Sequence, residues 1–311
     1  MVTNYLIVAG SIVTLFLMML VGFFLKRSGK LGDETLSQLT YLLLFIVTPC
    51  VEIQAFQIER TAENARYMLY VTAVILGLFT LYALITRSLC RKQPPERRSV
   101  SLYGVQFSNL TFMGIPLISS VLGQDAVVYC ILCAAVFQLF CWTYGVKLMG
   151  QQMSLRKAVL NPGVMGMLAA VALFAFNVSL PSPVMAAVSS MSALNTPLAM
   201  VVIGAQMAAS DLKKAVKEPP LYLLSAVKLL ALPAVTILLL RVLPLTLDRQ
   251  TCLSLSILAG CPVAGITSMF AQMYGRDTGY AAHLVTLSTL LSLLTLPVIA
   301  SLALNPHRKF T

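Results

Sequence analysis

Charge is what this chain has least of. Lys, Arg, Asp and Glu make up 11% of its 311 residues, where soluble domains carry about 25%. Hydrophobic residues make up 58% and the mean hydropathy is +0.85. A soluble fold cannot hide that much apolar surface, so lipid is the expected solvent for most of the chain. Other absences narrow the function. The phosphate-cradling GxxxxGK[S/T] pattern is missing, which argues against an ATP-driven pump. Paired carboxylates, clustered acids and a nucleophile–base constellation are missing too, so no enzymatic activity, cofactor or metal is expected. Seven cysteines are present, almost all inside apolar segments. Cys130 and Cys133 have CxxC spacing, but no second pair or His cluster joins them, which reads as packing. No positive charge precedes the first apolar run, where Lys26 comes first, so no cleaved signal peptide is expected.

What is there is a series of apolar runs of membrane length. At about 1.5 Å per residue, ten segments reach across a bilayer. They lie near 4–25, 36–57, 66–89, 99–122, 125–149, 158–178, 186–208, 219–241, 250–274 and 278–303. The net charge of +11 sits in short loops between these runs, as topology signals rather than a nucleic-acid face. With the N-terminus outside, the inner loops hold Lys26, Arg27, Lys30, Arg87, Arg91, Lys92, Arg97 and Arg98. They also hold Lys147, Arg156, Lys157, Lys213, Lys214, Lys217 and Arg276. The outer side holds only Arg60, Arg66, Arg241, Arg249, Arg308 and Lys309. That bias places both termini outside a plasma (inner) membrane that the chain crosses many times.

Two of the runs are interrupted. Asn109-Leu-Thr-Phe-Met-Gly-Ile-Pro116 breaks the fourth, and Gly260-Cys-Pro-Val-Ala-Gly-Ile-Thr-Ser268 breaks the ninth. Unwound backbone survives at membrane depth only when buried in protein or lining a cavity. Paired broken helices point to a secondary transporter and to its binding site. Thr48-Pro49 recurs as Thr196-Pro197 at an offset of 148, and Gly123-Gln-Asp125 as Gly275-Arg-Asp277 at 152. Five spans per half is odd, so such a duplication is inverted. The expected division is a first five-helix repeat over 1–150 and a second over 151–311, within one all-α integral membrane domain.

The tract Asn109-Leu-Thr-Phe-Met-Gly-Ile-Pro-Leu117, the run Asn195-Thr-Pro-Leu-Ala-Met200 leading to Ile203-Gly-Ala-Gln206, and Lys228-Leu-Leu-Ala-Leu-Pro233 resemble the auxin efflux carrier family. That family of prokaryotic permeases includes malonate and malate permeases and is related to plant PIN-type carriers. The resemblance covers essentially the whole chain. It implies ten transmembrane helices in two inverted repeats, broken helices four and nine crossing at the midplane, and elevator-like alternating access for organic anions. The long central hydrophilic loop of many plant carriers is absent; residues 150–157 are all that separates the halves.

The candidate binding residues are Asn109, Thr111, Gly114, Pro116, Gln138, Pro262, Gly265, Thr267 and Ser268. Half-helix ends carry free N–H groups and positive dipole ends suited to a carboxylate. The competing reading is that Pro and Gly only kink packed helices. Gln138 and Gln206 are amides that either face the cavity or bind a neighbouring helix. Crossover support or coupling is assigned to Thr48, Pro49, Glu52, Asn195, Thr196, Pro197 and Lys228. Lys228, well inside the eighth segment, is costly in lipid and needs a partner. Substrate compensation, a proton response and a lock on freed carbonyls are all open to it. Glu52 is either a protonatable coupling group or an outer-interface residue beyond an earlier helix end. His283 reads as a packing histidine. The expected partners are a small organic anion, the lipid bilayer and a proton or sodium ion, with a homodimer left open and no nucleic acid. The rival function is a membrane-embedded sensor that binds the anion without moving it.

Overall fold

The computed structural model describes residues 2–58, 61–152 and 162–304, the side chains of 2–8, 162, 163, 212 and 304 excepted. Arg60, Arg156, Lys157, Arg308 and Lys309, which entered the charge count, lie outside the described residues. In chain order the helices are α1 Val2–Arg27, α2 Asp33–Ala55, α3 Ala62–Thr86, α4 Pro95–Gln106, α5 Leu110–Leu122 and α6 Gln124–Leu148. They continue with α7 Pro162–Ala175, α8 Ser182–Ala209, α9 Pro219–Val242, α10 Arg249–Ala259, α11 Ile266–Met273 and α12 Thr278–Leu304. The described residues hold no strand, only one isolated antiparallel bridge between Ser108 and Val263. Seven of these helices are long and apolar enough to cross a membrane. The sequence expectation of ten exceeds that number because α4, α5, α7, α10 and α11 are each too short to count alone.

Local chemistry sets the helix ends. Lys26 and Arg27 close α1 and Asp33 and Glu34 open α2, each sign matching the helix dipole it meets. Thr61 caps α3 by accepting from the Asn64 N–H at 3.0 Å, and Asp248 caps α10 through the Thr251 N–H at 2.6 Å. Three of the apolar helices contain a π turn just before a proline: Leu43–Val47 before Thr48-Pro49, Leu110–Gly114 before Ile115-Pro116, and Val227–Ala231 before Leu232-Pro233. The cause is shared. Proline has no N–H and its ring crowds the carbonyl one turn back, and a widened turn absorbs both. In each case the residue before proline donates its N–H five residues back, to Leu43, Leu110 or Val227.

The helices pack as two interleaved groups. In the first, α1 lies along α8 and α2 packs against α7 and α8. The α1–α8 seam is closed by glycine: a Cβ on Gly22 would overlap the Val201 carbonyl, and one on Gly204 the Met19 carbonyl. Small residues allow this backbone approach where lipid provides no hydrophobic drive between helices. In the second group α12 packs against α9, α10 and α11, while α3 packs against α6 and α10 against α9. The core between the groups is apolar and continuous. Among the described residues, the buried side chains of Asp, Glu, Lys or Arg are Glu52, 3% exposed, and Lys228, 0% exposed.

A crossover of two broken helices and its cavity

The chain unwinds after Gln106 and again after Ala259, and the two unwound stretches run against each other. The Asn109 N–H donates to the Pro262 carbonyl at 2.7 Å, and the Ala264 N–H to the Phe107 carbonyl at 3.0 Å. Each break therefore satisfies backbone groups that the other has freed, as burial away from water requires. The Val263 N–H is taken up by the Ser288 hydroxyl of α12 at 3.2 Å. Gln106, at the end of α4, donates its amide to the Phe79 carbonyl at 3.0 Å. Around the first break, Tyr103, Phe107, Phe137 and Phe270 meet in tilted and edge-to-face pairs with ring centroids 4.5 to 5.2 Å apart. Such pairs add about 0.5–1.5 kcal/mol each beyond the area they bury.

Lys228 reaches this crossing from the π turn of α9. Its ammonium donates to the Ser108 hydroxyl at 2.5 Å, with no exposure to solvent. The sequence had left three roles open for it, and the geometry gives it a partner on the unwound backbone of the first break. Glu52 lies within α2, which runs on to Ala55, so the alternative that the helix ends earlier does not hold. Its Oε2 has no hydrogen-bond partner among the described residues, and its carboxyl lies against Gly166 of α7, as does Pro49. Thr48 is buried and donates to the Leu43 carbonyl at 2.9 Å. Asn195 is buried with neither end of its amide partnered, Thr196 is half-buried and Pro197 exposed. His283 meets the Glu218 carboxylate at 3.3 Å, which accounts for a histidine packed in an apolar helix.

A cavity of about 150 Å³ opens beside the crossover, between Thr40 and Leu44 of α2, Gln206 of α8, Gln138 of α6 and the starts of α5 and α11. That is about ten times the space one water needs. Of the residues proposed from sequence, Asn109, Thr111, Gln138 and Gly265 line it, and Gln206 joins them. Pro262 belongs to the backbone pairing. Gly114 instead packs toward Leu258, where a Cβ would stand 2.7 Å from that side chain. Pro116 is buried inside α5, about two turns beyond the break, and Thr267 and Ser268 lie within α11. Ser108 and Thr40 are lining residues that sequence reasoning missed. Ser108 adjoins the interrupted tract and was within reach; Thr40 carries no local signal.

Among the described residues, no ionisable side chain lines this cavity. Its polar groups are hydroxyls and amides, including a Gln138 Oε1 without a partner. The first turns of α5 and α11 both begin at its wall; the Leu110 N–H there already donates to the Ser108 carbonyl, and the Thr267 and Ser268 N–H groups to Ala264 and Gly265, so what the two starts offer a ligand is their positive dipole ends. The arrangement favours a ligand that is negative and accepts hydrogen bonds.

No match to a curated protein was found. A family model described as membrane transport protein matches residues 7–153 and 148–300. Those matches span nearly all of a chain whose helices are built to cross a bilayer more than once. The chain belongs to the membrane transport protein family, that of the auxin efflux carriers, and is a multi-pass membrane transporter.

Proposed function

We propose that the chain is a secondary transporter for a small organic anion, a carboxylate, moved by elevator-like alternating access. The observation that carries this is the cavity where two helix starts meet neutral amides and hydroxyls with no acid nearby. A carboxylate gains from both dipole ends there, and the lack of acids spares it like-charge repulsion. The cavity wall joins segments far apart in the chain, with Thr40 of α2 and Gln206 of α8 beside Asn109, Thr111, Gln138 and Gly265 from the two breaks, α5 and α6. Sliding one group past the other would carry such a site between the membrane faces. Counting α4 with α5 and α10 with α11 as interrupted spans, and adding α7, gives ten crossings. These form inverted repeats over 1–150 and 151–311, in a plasma membrane with both termini outside. Lys228 then serves as a lock on the first break, and Glu52 is the candidate for proton coupling.

The test is flux of labelled dicarboxylates and aromatic acids in proteoliposomes, with and without a pH gradient. Gly265→Ala places a Cβ 3.4 Å from the Gln206 amide oxygen, and Asn109→Ala removes a polar wall. Each should lower flux about tenfold while shifting stability by no more than about 1 kcal/mol. Binding without flux under any gradient would favour a sensor instead.

A further inference from the structure

Away from the crossover, a second pocket of about 480 Å³ lies where the ends of α3 and α6 meet the start of α4. Arg87, Arg91, Arg98 and Lys147 line it, with no Asp or Glu among the lining residues. Three cations elsewhere on the chain do meet acids. Lys26 pairs with Asp33 at 2.5 Å, Arg97 with Asp277 at 2.9 Å and Lys214 with Asp211 at 3.5 Å. The four pocket cations make no salt bridge among the described residues. Arg98 spends one Nη2 proton on the Arg87 carbonyl at 3.3 Å, and its buried Nε has no partner among the described residues. Four uncompensated cations held in one concavity repel one another, and an outside anion relieves that. The hydroxyls of Ser99 and Tyr144 also face the pocket, adding donors suited to phosphate oxygens.

The surroundings decide which phosphate. Leu102 and Leu148 form part of the wall. Leu84 and Ile85, 54% and 43% exposed, precede Arg87 on α3. The pocket thus sits where an apolar helix surface ends in a basic rim, the boundary that a phospholipid headgroup occupies. Basic pockets between membrane helices recognise anionic headgroups in this way. We propose that this pocket binds the phosphate of an anionic phospholipid, its acyl chains lying along Leu84 and Ile85.

The experiment is native mass spectrometry of the full chain released from nanodiscs of mixed phosphatidylglycerol and phosphatidylcholine. The expected result is retention of phosphatidylglycerol over phosphatidylcholine, reduced at least about tenfold in Arg87→Gln/Arg91→Gln, since each basic residue near the surface contributes about a factor of five. Both arginines are exposed, so the double variant should fold, with an unchanged melting temperature as the check. Lys213→Gln/Lys214→Gln, in another loop, should leave retention unaltered. Equal retention of the two lipids, or no loss in the arginine variant, would overturn the proposal. Millimolar inorganic phosphate displacing the lipid would assign the pocket to a soluble phosphate and overturn the lipid as its occupant.

Discussion

The two broken helices meet through the same backbone pairing, yet their surroundings differ. The first break falls at Phe107–Asn109, without Gly or Pro, and the helix resumes through a π turn. The second runs from Gly260 to Gly265, includes Pro262, and resumes as a regular α-helix. A buried ammonium supports the first through Ser108; a neutral hydroxyl supports the second through Val263. Glycine and proline are thus one route to an unwound stretch. A basic side chain reaching in from another helix is a second, and its hydrogen bond goes to the first break.

Substitutions at the two supports should separate these cases. Ser108→Ala leaves the buried Lys228 Nζ without its acceptor and should cost about 2–3 kcal/mol, read as a lowered melting temperature in detergent. Lys228→Met removes the charge with its partner's bond and should cost less, about 1–2 kcal/mol. The pair Ser108→Ala/Lys228→Met should recover much of the single Ser108 loss, because replacing both partners avoids stranding either. Ser288→Ala leaves one buried N–H unmet and should cost about 1 kcal/mol. If Ser288→Ala proved as damaging as Ser108→Ala, the contrast between the breaks would be gone.

The smallest effect concerns how the broken helices begin. α4 starts at Pro94-Pro95 without a side-chain cap, whereas α10 starts on Asp248. Burial raises the Asp248 pKa, but hydrogen bonds from Thr251, Tyr67 and Tyr129 outweigh it and hold the carboxyl below its usual value. Its contribution is therefore complete above the unfolded value of about 3.9 and fades as pH falls through the folded one. Asp248→Ala should cost about 1 kcal/mol. The gap between its melting temperature and that of the parent should stay constant from neutral pH down to about pH 5 and close below about pH 4.

The spans were legible in the sequence because apolar runs of this length have few other uses, and α6, α8 and α9 end within a few residues of expectation. The breaks were legible only approximately. Pro116 pointed to the right helix but the wrong turn, since a π turn lets the chain carry proline inside α5 while the unwinding falls at Phe107–Asn109. Burial of Lys228 could be anticipated from the cost of a cation in lipid, but not that Ser108 would receive it. That depends on how α9 is placed against the first break, which local sequence does not encode. Thr40 and Gln206 reach the cavity for the same reason, through packing between segments far apart in the chain.

The seam between α1 and α8 has a mechanical consequence. At Gly22 and Gly204 the two backbones touch with no side chain between them. Sliding either helix along the other by one residue would bring a Cβ onto a carbonyl, so this contact works as a fixed axle rather than a bearing. Any relative movement must occur on surfaces where side chains separate the backbones and can exchange neighbours. A larger residue at Gly22 or Gly204 would therefore push the axle apart instead of adjusting the stroke.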